Sequence, residues 1–469
     1  MQQLSAQDAQ FLYIETGNNL THVMGVNIYD PSTAPNGKVR FTDIIDHVED
    51  RLGSSPVFRR RLMRLPYDFD HPYWVEDEYF DAEHHMFHGR LPEPGDWRQF
   101  CIHLARHFSR PMDMNRPLWD MYVIEGLDRI KGIPKGSYAI ATRVHHAAID
   151  GTSAMHFFNA LSDIDPEGTP AIELPEWPEE PGSSPSTVTV LNRALVSNMQ
   201  SPVKMAGTLL RFSPAIFNTL MKSLSSEGGK SRKVPLTRFN QPVSPHKMFD
   251  ATVFSLADMK QIKDSIEGST INDVVLAICS GALRLYLEHH EELPDEPLVA
   301  IAPVNARGKG QDAETPGNRI SAMSVALPTN VADPVERLLI IRDTTRQTKA
   351  AKSGISARLM TDLTQHVPAV TMAGVARLVA GGRFTSKLCN LFISNVPGPQ
   401  APLYMNGARL VHTYGLAPLA DGMGLFIATP SYNGEMSFSI ISAREIMPDI
   451  EFFRECLEQS FDELLEATV

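Results

Sequence analysis

Cysteine is scarce in this chain. Only four occur in 469 residues (Cys101, Cys279, Cys389, Cys456), far apart and with no CxxC pair. That pattern excludes a disulfide framework and a zinc knuckle, and it fits a reducing compartment. Positive charge is also short, at 43 Lys and Arg against 55 Asp and Glu, a net of -12. A nucleic-acid binder would carry a basic face or stripe, so that class is set aside. No window holds about 20 apolar residues in a row, which argues against a membrane span. Met1 to Asp8 has no basic region leading into an apolar stretch, so it does not read as a signal peptide. HExxH and GxSxG are both missing, and with them the usual signs of a zinc hydrolase and of a serine nucleophile.

What is present suits a globular protein. Some 43% of residues are hydrophobic and 21% charged, and the length exceeds what one compact core normally holds, so two domains are expected. Three spans follow from the composition: 1–165, a linker over 166–245, and 246–469. In the first, Thr42 starts an amphipathic run through Ile44, Ile45, Val48 and Leu52 that Gly53 closes. A helix is expected over about Trp97 to Phe108, a strand over Ser137 to Val144, and a helix over Ala154 to Leu161. The linker opens with six prolines between Pro166 and Pro185, where regular structure is not expected. It then turns basic and amphipathic from Val188 to Lys233. That stretch reads either as interdomain packing or as a surface lying on anionic lipid, where each basic residue adds ~1 kcal/mol.

The second half carries cleaner signals. Thr270 with Asp273 forms a capping-box pattern before Val274, Val275, Ile278 and Ala282. Asp333-Pro334-Val335-Glu336 starts another helix. Asn433-Gly434 between two alternating runs, Leu425 to Tyr432 and Glu435 to Ser442, predicts a hairpin. A last helix is expected over about Asp449 to Leu465.

The most informative stretch is His145-His146-Ala147-Ala148-Ile149-Asp150-Gly151, placed at a strand-to-helix turn. Successive residues on a strand end point to opposite faces, so one imidazole should face a cavity and the other pack inward. Two alanines keep the turn small, and Gly151 permits backbone angles that a side chain would forbid. Asp150 can fix the turn through amides or an arginine. No third metal ligand lies nearby, so no metal is expected. A histidine pair alone is more often structural than catalytic.

HHxxxDG resembles the signature of the CoA-dependent acyltransferase superfamily. The resemblance implies that His146 is the general base, with His145 beside it, and that Asp150 and Gly151 hold the loop. Further residues are similar, in order, to the bacterial wax ester synthase/diacylglycerol acyltransferases. They are Leu4 to Leu12, His22-Val23-Met24-Gly25 (methionine where glycine is expected), Pro117-Leu118-Trp119, Asn272-Asp273, the region from Pro303-Val304-Asn305 to Gly317-Asn318, and Ser394 to Pro399. Pro117-Leu118-Trp119 reads primarily as packing. Asn272 and Asp273 read equally as helix cap and as substrate-binding residues. Ser394 and Asn395 read as part of a turn or as an oxyanion or substrate contact. Gly229-Lys230-Ser231 is not a phosphate loop, because Leu224 stands where its first glycine should be.

The implied fold is α/β, with two chloramphenicol-acetyltransferase-like domains joined by a long, partly helical linker and an active site in a channel at their interface. The implied reaction moves a fatty acyl group from acyl-CoA to a long-chain fatty alcohol or to diacylglycerol, without an acyl-enzyme. Acyl-CoA is a co-substrate, and no cofactor or metal is implied. The expected location is cytoplasmic, with the inner membrane or a lipid-droplet surface as a peripheral option and no nucleic acid as partner. Two alternatives stay open: a relative acting on a polyketide, glycolipid or amine acceptor, and a lipid-binding protein that does not turn over.

Overall fold

The computed structural model describes residues 2–65, 70–149, 160–168, 234–305, 320–350 and 385–468. The strands in chain order are β1 (Gln2–Gln3), β2 (His22–Asp30), β3 (Arg60–Met63), β4 (Tyr73–Glu76), β5 (Met86–Arg90), β6 (Trp119–Glu125), β7 (Tyr138–His145), β8 (Lys247–Ser255), β9 (Leu298–Asn305), β10 (Ile320–Leu327), β11 (Leu391–Pro397), β12 (Tyr404–Met405), β13 (Ala408–Leu416), β14 (Leu425–Tyr432) and β15 (Glu435–Ala443). The longer helices are α1 (Ala6–Ile14), α2 (Phe41–Glu49), α3 (Trp97–Phe108), α4 (Leu256–Ser265), α5 (Ile271–His289), α6 (Pro334–Ala350) and α7 (Ile450–Thr468).

Two six-stranded mixed sheets organise the described chain, in the orders β12-β13-β2-β7-β6-β5 and β10-β9-β11-β14-β15-β8. A small third sheet, β1-β4-β3, is paired separately, and its Leu62 shares a buried cluster with Leu118 and Ala147. Every residue of β7 is buried, as expected of a strand covered on both faces. The first sheet is not built from the first half alone. Residues 404–416 come from the C-terminal half, and β13 pairs antiparallel with β2 from Arg409 opposite Asp30 to Leu416 opposite Met24. A long-range pairing of this kind leaves no local trace in sequence.

The two sheets share one core. Phe100, Leu104 and Phe108 from α3 belong to the same buried cluster as Phe249, Val275, Ile278, Phe438 and Phe453. Trp97 Nε1 donates to Asp250 Oδ1 at 2.7 Å, joining α3 to β8. Helix α5 lies close against α7, where a Cβ on Gly281 would sit 2.1 Å from Ser460 Oγ. The glycine there is a packing requirement.

Most expected elements are found. Helix α3 covers the predicted span, and Asp96 caps it by accepting from Gln99 N at 2.9 Å. Asn433 and Gly434 both take positive φ (43° and 87°), which gives the hairpin its primed turn. Helix α2 differs from expectation. Its N-cap is Arg40 rather than Thr42, because Asp43 accepts from Arg40 N at 2.8 Å and pairs with its guanidinium. Gly53 does not close it either, since the helix ends at Glu49 and Gly53 falls in the 3-10 turn Leu52–Ser54. The predicted helix over 154–161 and the basic amphipathic stretch lie largely or wholly outside the described residues.

Candidate active site

Strands β2 and β7 run antiparallel with His22 opposite His145, so the end of β7 meets the start of β2. The chain then turns through residues 146–148, with Ala148 N donating to His145 O at 2.9 Å. Two main-chain bonds hold the turn. His145 N donates to Leu118 O and His146 N donates to Thr21 O, both at 2.9 Å. Leu118 therefore presents a carbonyl as well as apolar packing. Its neighbour Trp119 is 1% exposed and donates from Nε1 to Phe58 O at 2.9 Å, in keeping with the packing role expected of Pro117-Leu118-Trp119.

The two imidazoles differ in burial and in partners. His145 is 0% exposed. Its Nδ1 accepts from Ala147 N at 3.0 Å, which leaves the proton on Nε2. Nε2–H then donates to Glu15 Oε2 at 2.7 Å, with Thr21 Oγ1 at 3.0 Å. Thr21 Oγ1 lies 2.7 Å from the same carboxylate oxygen. Burial pushes the Glu15 carboxyl upward, but the hydrogen bond from His145, with help from Thr21, more than reverses this and holds it below its ordinary value.

His146 is only partly buried. Phe11, on α1, stacks on its ring with centroids 3.8 Å apart and planes 18° from parallel. Nδ1 is buried and has no hydrogen-bond partner, and Nε2 carries no bond among the described residues. Burial lowers its pKa to about 4, its own main-chain carbonyl opposes that, and His145 adds to the lowering. The ring is consequently neutral at pH 7. A neutral, partly open imidazole with a free nitrogen can accept a proton from a bound hydroxyl.

Asp150 and Gly151 lie outside the described residues. Among those described, the buried arginine nearest in sequence, Arg143, pairs with Asp120: Nε donates to Oδ1 at 2.9 Å and Nη2 bonds Oδ2. Arg143 Nη1 also donates to the carbonyls of His107 and Arg110, at 2.8 and 2.7 Å. His22 donates from Nε2 to Phe108 O at 2.7 Å, and burial with the charge of Arg143 lowers its pKa to about 3. This buried group supports the strand end beneath the turn.

Asp273 is 1% exposed. One carboxylate oxygen accepts from Thr270 N (2.9 Å) and Oγ1 (2.7 Å), and the other accepts from Thr345 Oγ1 at 2.7 Å. Among the described residues, capping α5 and tying it to α6 account for its bonding. Asp273→Ala should therefore lower unfolding free energy by about 2 kcal/mol in a denaturant titration, while turnover per folded molecule stays within about twofold. Asn272 is partly exposed beside it. Ser394 and Asn395 do not form a turn. They lie within β11, opposite Ala428 and Thr429 of the parallel β14, and the Ser394 carbonyl accepts from Thr429 Oγ1 at 3.3 Å. Parallel pairing with β14 carries the strand on to Pro397.

The structure brings Phe11, Glu15 and Thr21 to the histidine turn, and sequence reading did not single them out as site residues. Their one signal was position, since Phe11 lies within the first similar stretch and Glu15 and Thr21 fall between Leu12 and His22. Leu4, Ala9 and Leu12 share a buried cluster with Leu118 and Ala147, so α1 is a wall of the site.

A histidine turn at the end of β7, in a fold of two six-stranded mixed sheets of which the first takes β12 and β13 from the C-terminal half, fits the acyltransferase class. Comparison with known proteins agrees. Residues 4–275 match the wax ester synthase/diacylglycerol acyltransferase catalytic domain and residues 316–465 the corresponding C-terminal domain. The chain belongs to the wax ester synthase/diacylglycerol acyltransferase family, and it is an acyltransferase. It is 31% identical to an O-acyltransferase of Acinetobacter baylyi, over all of this chain and 98% of that one. A Mycobacterium tuberculosis protein provisionally named a diacylglycerol O-acyltransferase is 32% identical, over all of this chain and 91% of its own. Among solved structures, the wax ester synthase/diacylglycerol acyltransferase of Marinobacter aquaeolei superposes with a TM-score of 0.70 at 27% identity, covering 99% of each chain. A trichothecene 15-O-acetyltransferase of Fusarium sporotrichioides, 11% identical with a TM-score of 0.63, shares the fold.

Proposed function

We propose that this enzyme transfers a fatty acyl group from acyl-CoA to the hydroxyl of a long-chain alcohol, forming a wax ester, or of diacylglycerol, forming triacylglycerol, with His146 as general base. The observation that carries this reading is the neutral, partly open imidazole of His146 at the end of β7. His145, bonded to Glu15, fixes the turn from behind. An alcohol is too weak an acid to ionise at neutral pH, so its proton passes to the imidazole as the oxygen attacks the thioester carbonyl. The tetrahedral intermediate collapses with cleavage of the carbon–sulfur bond, and the imidazolium returns the proton to the departing thiolate. Ester and free CoA are the products, with no acyl-enzyme and no cofactor in the sequence of steps.

Chain binding favours long substrates. Burying one CH₂ contributes about 0.8 kcal/mol, so a 16-carbon chain contributes roughly 12 kcal/mol before ordering costs. Such chains are scarce in water and abundant at lipid surfaces. The basic amphipathic character of residues 188–233 supports a peripheral contact with such a surface. No helix among the described residues is long and apolar enough to cross a membrane.

The test is release of CoA from palmitoyl-CoA, measured as free thiol, with hexadecanol or dipalmitoylglycerol supplied. Acceptor-dependent release with matching ester formation is expected. Equal release without any acceptor would identify a thioesterase instead.

A further inference from the structure

We propose that Lys247, on the second sheet, is a positioning residue that holds the loop over 15–21 and, through it, the histidine turn. The inference rests on the reading of His146 given above. Lys247 is the first residue of β8, far in sequence from the histidines, and it is 7% exposed. Its Nζ donates to Asn18 O at 2.8 Å and to Ser244 O at 2.7 Å. Both partners are main-chain carbonyls. Burial lowers the ammonium's pKa to about 8, opposed by the charges of Asp421 and Glu445. Burying a cation on carbonyls alone costs free energy that an apolar residue would not. What the cation obtains there is a fixed position for Asn18.

The bond reaches the site in two steps. Asn18 lies within a compact loop closed by Thr16 N donating to Asn19 O and Asn19 N donating to Thr16 Oγ1, each at 3.1 Å. The two ends of that loop are Glu15, which accepts from His145, and Thr21, whose carbonyl accepts from His146 N. Fixing the middle of so short a loop from the other sheet sets both ends at once. Lys247 touches neither ring, and its effect passes through Glu15 and Thr21.

The experiment is a double-mutant cycle on the full chain, reading kcat and KM for palmitoyl-CoA with hexadecanol at pH 7. Lys247→Met is expected to lower kcat about tenfold, with KM within twofold and Tm within a few degrees. Lys247→Arg, which keeps charge and donors, should recover part of the loss. Glu15→Ala combined with Lys247→Met should be no more than about threefold worse than the more damaged single variant, because both act through one loop. A double variant whose loss equals the product of the two single losses would overturn the proposal, as would Lys247→Met with wild-type kcat. If Lys247→Met does not fold, Lys247→Gln is read the same way. His146→Ala in the same assay separates the two claims. Activity in that variant removes the site reading itself, whereas an inactive His146→Ala beside a fully active Lys247→Met removes only this inference.

Discussion

Replacing His146 with alanine is expected to lower acceptor-dependent CoA release by at least about a hundredfold and to leave the fold intact. Positioned acid–base help of this kind is typically ~100- to 10,000-fold, and the other two bases at the turn, His145 and Glu15, are bonded to each other. The fold should survive because the turn is held by the main-chain bonds of His145 and His146 to Leu118 and Thr21, which alanine keeps. Steady-state kinetics together with circular dichroism check both halves. Wild-type turnover in a folded variant would remove His146 from the mechanism. The pH profile is a second readout. Only the neutral ring accepts a proton, and its pKa is lowered to about 4. The acidic limb of kcat/KM should therefore fall near pH 4, well below the 6.5 of an ordinary histidine. The same shift has a stability consequence. The unfolded chain binds the proton at a higher pH than the folded one, so stability declines as pH falls from about 6.5 toward 4, at about 1.4 kcal/mol per pH unit for this group. Rates below pH 6 thus need a parallel check that the protein remains folded.

Glu15→Ala is expected to lower kcat by about 10- to 100-fold with little change in KM. His145 is fully buried and its Nε2–H points at this carboxylate. Removing the carboxylate leaves that buried donor only the weaker Thr21 Oγ1, 3.0 Å away, at a cost of about 1–3 kcal/mol, and loosens the hold on the imidazole, which can turn or change tautomer. Either movement breaks the bond from Ala147 N to His145 Nδ1 and releases the residue that follows, His146. Glu15→Gln, which retains an acceptor oxygen without the charge, should lie between wild type and Glu15→Ala. The carboxyl's pKa is lowered in the folded state, so the stability it contributes is present above the ordinary carboxylate range and lost as pH falls below it. A Glu15→Ala variant with unaltered kcat would show that His145 holds its place without the carboxylate.

Much of the local structure follows from patterns of a few residues. The cap of α3, the Thr270–Asp273 capping box and the Asn433-Gly434 hairpin are set by hydrogen bonds that span at most three positions. Strand geometry led to the expectation that the two histidines differ in surroundings, and His145 is fully buried while His146 is partly so. Reading failed at α2, where a different local pair sets the cap, and at β11, where a distant strand intervenes. Asp43 is drawn back to Arg40, which moves the start of α2. Ser394 and Asn395 would suit a turn in isolation, and pairing with β14 keeps them extended.

The sequence by itself located the histidine turn and, through its resemblance to a family signature, the proposed base, because a histidine pair, two small residues, an acid and a glycine are adjacent in the chain. The tertiary structure alone decided what surrounds that group. Phe11, Glu15 and Thr21 lie more than 120 residues before the turn they support, Lys247 about 100 after it, and residues 404–416 cross to the first sheet. The physical reason is range. Capping and turn preferences act over a few residues along the chain, whereas burial, sheet pairing and the desolvation that keeps an imidazole neutral act through space and exist only once the chain has closed.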